Sequence, residues 1–371
     1  MSDPVFTAHL RGNDPGASAL AESERLRRHE TSRAYRLTER LRALRGKPAL
    51  PRTTLQERRD AVEVIAADRV YRAWVGARRL RPGGRATAPD PSQRIDDAIE
   101  TLKVVPWQEL QRRGWNFQPN HFYWPLNDHE FLAGNAPLWH DRGHPREIEW
   151  DTAAQAELWA RLSSHAPELD DVPERADPGG PAVYQWRNNA FGGDDAKVYY
   201  GLIRELAPKR VVEVGCGWSS LILDRAIGQN ATPTQVTQIE PFPDERIFAA
   251  LPREWVRHEV LIQHAPFDPF KELEADDVLF YDGSHCVKTA SDVNWLFFEV
   301  LPRLRPGVWV HIHDVFFPDD YHDEWVLEEG LSWNEQYLLQ AFLMNNDSWR
   351  VRFACRMAGG DGGSVWLQRT Q

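Results

Sequence analysis

From Ala196 onward two kinds of segment alternate. Short apolar runs rich in β-branched residues lie between stretches whose apolar positions recur every three or four residues. The pattern predicts helix 194–207, strand 210–214, helix 218–227, strand 234–239, helix 244–250 and strand 257–262. It continues with strand 277–281, helix 288–304, strand 307–312 and helix 332–345, and closes on strands near 349–356 and 363–368. Strands alternating with helices predict an α/β fold with a doubly wound, mostly parallel sheet. The two closing apolar runs predict an antiparallel addition to its edge.

The earlier part of the chain is organised differently. Residues 1–21 are rich in Gly, Pro, Asp, Ser and Ala and are expected to be a disordered tail. A basic helical extension with its linker is expected over 22–91. Leu26, Leu37, Leu41 and Leu44 mark one face of a first helix that Gly46 and Pro48 end. Val62, Ile65, Val70 and Trp74 mark a second, over 54–80. These helices offer either a solvated Arg-rich surface or contacts for a homo-oligomer. Residues 92–180 are expected to form an aromatic-rich lid or auxiliary region, with one helix from about Thr152 to His165, and 181–371 the α/β domain. In Asn120-His-Phe-Tyr-Trp-Pro125, the proline pushes Trp124 towards an extended backbone. Tyr123 and Trp124 there read equally as an aromatic lid or as core.

Composition narrows the class. Of 371 residues, 42% are hydrophobic and 27% charged, which excludes a disordered polymer and a disulfide-stapled miniprotein. The three cysteines, Cys216, Cys286 and Cys355, form no CxxC pair, so a finger-type zinc site is not expected. No apolar run is long enough to cross a bilayer, and Met1 to Asn13 has no apolar signal core. The expectation is a cytoplasmic protein. The net charge of −11 divides into +7 over residues 1–103 and −18 over 104–371. An acidic body argues against nucleic acid as a partner, because phosphate binding needs clustered cations.

The candidate chemistry sits at strand ends. Strand 210–214 runs into Glu213-Val-Gly-Cys-Gly-Trp-Ser-Ser220. Gly215 and Gly217 allow a tight turn and close approach of backbone to a ligand, and the next helix offers free N–H groups. The third glycine of the dinucleotide fingerprint is replaced by Ser220, and the phosphate-loop lysine is missing. Glu240 follows the second strand, 23 residues after Gly217, at a spacing suited to ribose hydroxyls. A ribose acid without a pyrophosphate fingerprint favours an adenosine ligand that lacks phosphates.

Val211-Val-Glu-Val-Gly-Cys-Gly217 followed by Ile239-Glu-Pro241 resembles class I S-adenosylmethionine-dependent methyltransferases, whose sheet is Rossmann-like. Asn188-Asn-Ala-Phe-Gly-Gly-Asp-Asp-Ala196, Asp282-Gly-Ser-His285, His311-Ile-His-Asp314 and Trp333-Asn-Glu-Gln-Tyr337 extend the likeness. They resemble a bacterial subgroup related to macrolide O-methyltransferases and cephalosporin-hydroxylase-like proteins, over about residues 105–371. The resemblance implies S-adenosylmethionine as cofactor, with Glu213, Gly215, Gly217 and Ser219 lining it. Glu240 then holds the ribose diol and Gln263 contacts the adenine. Asp195, ahead of the helix that leads into the sheet, helps to close the site.

Asp282, His285, His313 and Asp314 fall at the ends of the fourth and fifth strands, where open α/β sheets bind ligands. Asp282, His313 and Asp314 are the candidate ligands of a divalent cation, Mg²⁺ or Mn²⁺ before Fe²⁺, and an imidazole moves the preference away from Mg²⁺. The metal-dependent relatives place two acids, or an acid and an amide, where this chain has His313-Asp314. Asp282 and His285 are the candidate catalytic pair, with His285 as base. His311 reads as a packed strand residue. Asn334, Glu335 and Gln336 are candidates for acceptor hydroxyls, while Trp333 and Tyr337 have packing spacing. The reaction expected is O-methylation of a small hydroxylated acceptor such as a sugar or glycosylated natural product. Two other readings stand beside it: a metal-dependent oxidative enzyme or hydroxylation accessory protein, since two imidazoles and a carboxylate form an iron triad, and a scaffold with a vestigial cofactor fold.

Overall fold

The computed structural model describes residues 91–121, 123–140, 147–177, 179–188 and 190–371. The tail and all but the last residue of the basic extension lie outside these residues, as do Phe122 and Asn189. The chain divides into two units between Pro119 and Asn120. The described part of the first holds α1 (Pro91–Lys103) and α2 (Trp107–Arg112).

The second unit is built on seven strands: β1 (Arg210–Val214), β2 (Gln235–Ile239), β3 (Val256–His258), β4 (Val278–Tyr281), β5 (Trp309–Ile312), β6 (Trp349–Ala354) and β7 (Val365–Arg369). Their order is β3-β2-β1-β4-β5-β7-β6. The first five are parallel, and β7 runs antiparallel to both β5 and β6. This is the mostly parallel Rossmann-like α/β sheet with an antiparallel edge that the sequence predicts.

Period-two alternation explains why both faces are apolar. Val211, Val278 and Phe280 face one layer, together with Ile203 and Ile222. Val212, Val214, Leu279 and Tyr281 face the other, with Leu296 and Leu339. Helix α3 (Thr152–Ser163) joins the first layer through Leu158 and Leu162, against α4 (Gly193–Leu206). Gly201 permits that crossing, since a Cβ there would stand 2.9 Å from the Leu162 Cβ.

Three elements are shorter or more broken than their patterns predict. β3 stops at His258, and Ile262–His264 is a 3₁₀ turn. The Glu240 N–H still donates to the His258 carbonyl, but the next N–H on that side of the strand, of Phe242, donates to the Glu240 carboxylate instead of continuing the ladder. The helix expected over 288–304 is a short α turn, Asp292–Trp295, a π turn, Leu296–Val300, and a 3₁₀ turn, Leu301–Arg303. Pro302 removes a helical donor there. Helix α5 (Trp218–Gly228) packs in the first layer, and the last helix, α6 (Glu335–Leu343), packs in the second. It starts late because the Asn334 and Glu335 N–H groups both donate to the His285 carbonyl.

Candidate active site

β1 passes through Gly215 and Gly217 into α5. Gly215 has φ +80°, and a Cβ there would stand 1.7 Å from the Asp282 carbonyl oxygen, so only glycine lets β1 and β4 close at this point. A Cβ on Gly217 would meet nothing within 4 Å, which leaves the turn open to a ligand. Glu213 lies wholly buried beneath. Its carboxylate accepts from Ser219 Oγ at 2.8 Å, Ser220 Oγ at 2.5 Å and Gln238 Nε2 at 3.0 Å. Burial pushes the Glu213 carboxyl up to about 7 against the pull of these donors. The Glu213 and Ser219 side chains, expected to line the cofactor, thus face inward and brace the turn. The backbone of the turn is what a ligand would meet.

Glu240 reaches back to this turn. Its Oε2 accepts from the Cys216 N–H at 3.1 Å and its Oε1 from the Phe242 N–H at 2.7 Å, while burial raises its pKa. Lone pairs remain on both oxygens for a diol. Gln263 lies in the 3₁₀ turn after β3, with Nε2 donating to the Ala290 carbonyl at 2.7 Å.

The second group forms where β4 and β5 end. The Asp282 N–H donates to the Val214 carbonyl and the His313 N–H to the Tyr281 carbonyl, so backbone pairing fixes where both side chains emerge. His285 and Asp314 take left-handed backbone, at φ 56° and 55°. His285 Nε2 lies 3.3 Å from Asp282 Oδ1 and 3.4 Å from Asp314 Oδ2. Its Nδ1 lies 3.0 Å from Glu335 Oε2. His313 Nδ1 stands 3.5 Å from Asp282 and 3.6 Å from Asp314, and its Nε2 3.5 Å from Asp195 Oδ2. Asp195 comes from the first turn of α4, and its Oδ2 also accepts from the Gly363 N–H.

Six titratable groups therefore converge, four carboxylic and two imidazole. Burial alone would push protons off both imidazoles, but the acids reverse this. His285 is raised to about 10 by Asp282 and Glu335, and His313 is raised by Asp282 and Asp314. Burial works to raise Asp282, and the His313 and His285 charges hold it well below the usual carboxylate range. Burial raises Asp314 and Glu335.

Asp282, His285 and Asp314 offer three ligand atoms within 4.8 Å of one another. Asp195 Oδ1, Glu335 Oε1 and His313 Nδ1 are buried without hydrogen-bond partners among the described residues. With both rings charged and all four acids ionised the cluster still carries net negative charge. The donor set and these orphaned atoms fit a divalent cation.

The structure also places the neighbouring candidates. His311 is neutral and packed: burial lowers it to about 3, Nε2 meets Ser364 Oγ at 2.8 Å, and the ring stacks on Phe280. Asn334 and Gln336 do not face an acceptor. Asn334 Oδ1 accepts from the Val287 N–H, and Gln336 Oε1 from the Phe316 N–H. Glu335 is buried behind His285, a role that its place in a polar helix start did not reveal. Tyr123 and Trp124 are 79% and 41% exposed, so neither is core.

A family profile described as "Methyltransferase domain" matches residues 212–315, from within β1 to just past Asp314. That segment is similar to a methyltransferase domain, and it contains the glycine turn, the acid after β2 and the Asp282, His285 and Asp314 cluster. An uncharacterized protein of Archaeoglobus fulgidus is 28% identical over 151 residues, 40% of this chain and 68% of that protein. The SAH-bound methyltransferase of Podospora anserina is 15% identical, with a TM-score of 0.33, across 69% of this chain and 100% of that one. An O-methyltransferase of Bacillus cereus in complex with SAH is 13% identical, with a TM-score of 0.31, across 65% and 96%. Among the described residues no helix is long and apolar enough to cross a membrane.

Proposed function

We propose that the enzyme transfers a methyl group from S-adenosylmethionine to a hydroxyl oxygen of a small acceptor, a sugar or a glycosylated natural product. The observation that carries this reading is the Asp282, His285 and Asp314 triad, set against the glycine turn through the contact of Gly215 with the Asp282 backbone. Gly217 leaves room for the cofactor, and Glu240 accepts from its ribose hydroxyls. The turn and the triad hold donor and acceptor for in-line displacement at the methyl carbon, where alignment supplies much of the rate.

The triad is assigned as a cation site, with one nitrogen and two oxygen donors that suit Mn²⁺ or Mg²⁺. When bound, the cation supplies positive charge that lowers the pKa of the acceptor hydroxyl. Glu335 holds His285 by Nδ1 and leaves Nε2 aimed between the two aspartates, the carboxylate–histidine arrangement that orients a metal ligand. His313, clamped by Asp195, stands as a charged neighbour of both aspartates. This exchanges the roles read from sequence: His285 becomes the ligand and His313 a supporting group.

His285 as base is the second reading, favoured by its Glu335 partner. Asp282 and Glu335 raise the pKa of that ring, so it must give up its proton in either role, and a cation beside Nε2 would favour that loss. The iron-triad reading needs two imidazoles, and the triad here holds one.

Calorimetric titration with Mn²⁺ and with S-adenosylhomocysteine, on wild type and His285→Ala, separates these roles. The ligand role predicts that Mn²⁺ affinity falls by roughly 10–100-fold, while S-adenosylhomocysteine still binds. Unchanged Mn²⁺ affinity with lost turnover would assign the base role. A wild type that binds neither Mn²⁺ nor Mg²⁺ would remove the cation.

A further inference from the structure

An aromatic cluster packs beside the triad, and over one of its rings stands a cation with no carboxylate at ion-pair distance among the described residues. Trp333 lies 4.3 Å from the His285 ring, Trp325 5.1 Å from Trp333, and Phe316 5.4 Å from Trp325, centroid to centroid. The Arg356 guanidinium stands 5.7 Å over the Phe316 ring. Its Nη2 donates to His322 Nε2 at 3.2 Å, and that ring packs on Phe316 at 4.5 Å. Burial, and then the charge of Arg356, hold the His322 pKa down, so its ring is neutral and accepts.

Arg356 Nε is buried without a hydrogen-bond partner, and no carboxylate pairs with Arg356 among the described residues. In an acidic protein, a half-buried arginine left without an acid calls for an explanation. Its placement is braced. The turn after β6 that carries it is tied down where the Asp361 N–H donates to Asp194 Oδ2 and the Gly363 N–H to Asp195 Oδ2. Asp195 is the residue that clamps His313, so the turn and the acid cluster are held by one helix start.

We propose that Arg356, with His322 and the wall of Phe316, Trp325 and Trp333, binds a carboxylate on the acceptor, which makes the enzyme selective for hydroxylated acids. This rests on the methyl-transfer reading of the triad and names the acceptor class for it. A guanidinium recognises a carboxylate through paired donors. Phe316 is buried and supports the arginine from beneath, while the half-buried Trp325 and Trp333 cover the body of a sugar or phenol ring between that carboxylate and the reacting hydroxyl.

The test uses the full chain saturated with S-adenosylhomocysteine and Mn²⁺. Two matched pairs are titrated by calorimetry: glucuronate against glucose, and 3,4-dihydroxybenzoate against catechol. The acid of at least one pair is expected to bind wild type about tenfold more tightly than its neutral partner. Arg356→Gln is expected to lose that preference and Arg356→Lys to recover part of it. S-adenosylhomocysteine affinity, read in the same samples, reports that each variant is folded. If Arg356→Gln fails that check, the Lys variant and the wild-type preference carry the test. No advantage for the acid in either pair, or an advantage that survives Arg356→Gln, overturns the proposal. A wild type that does not bind S-adenosylhomocysteine would sink the methyl-transfer reading itself, and the acceptor assignment with it.

Discussion

Glu213 and Asp282 sit on adjacent strands, and burial works to raise the pKa of both. Glu213 is surrounded by two hydroxyls and an amide and is pushed up to about 7. Asp282 has two imidazoles beside it and is held far lower. Neutral donors soften a desolvation cost, whereas opposite charges reverse it. The site therefore has two halves of different character. The β1–β2 half is braced by neutral hydrogen bonds and leaves the backbone of its turn open. The β4–β5 half concentrates charge. They touch where Gly215 meets the Asp282 carbonyl.

The sharpest way to break this division is Asp314→Asn. It removes one donor oxygen and one charge from the β4–β5 half only. Methyl transfer should fall by about 10²–10³-fold with Mn²⁺ affinity, while S-adenosylhomocysteine affinity stays at the wild-type value. A matching loss of S-adenosylhomocysteine binding would show that the halves act as one unit. Glu240→Ala is the converse. Losing two charged hydrogen bonds should weaken S-adenosylhomocysteine by roughly 10–100-fold and leave Mn²⁺ binding intact, which one pair of titrations reads.

Glu213→Gln should affect turnover least and report instead on stability. The folded-state pKa of Glu213 is raised, so the folded protein holds this proton more tightly than the unfolded chain. Its contribution is complete below the unfolded value near 4.5 and is lost as pH rises through about 7. That loss is on the order of 3 kcal/mol. Urea denaturation at several pH values should show the decline between these limits in wild type and a flatter profile in the variant. An unchanged profile would assign the decline to another group.

How much of this was legible differs between the halves. The glycine turn and Glu240 are local signals at fixed spacing from predicted strands, and the structure joins them through the Cys216 N–H. Asp282, His313 and Asp314 were legible as strand ends, because pairing in a parallel sheet brings those ends to one edge. The inward turn of Glu213 and Ser219 was not, since a side chain that supports a binding loop and one that touches its ligand share composition. Glu335 was read as an acceptor contact, yet its partner His285 lies 50 residues away in sequence. Arg356 and His322 carry no sequence signal for the same reason: 34 residues separate them, and neither belongs to a motif.

The sequence by itself determined the alternation of strands and helices, the antiparallel closing pair, the glycine turn and the acids at three strand ends. These follow from backbone periodicity and sterics, which act over a few residues. Only the tertiary structure decided which imidazole faces both aspartates, which carboxylates are braced and which are ion-paired, and where an arginine is left without an acid. Those outcomes depend on Coulombic and desolvation energies between groups that the chain brings together only once it is packed.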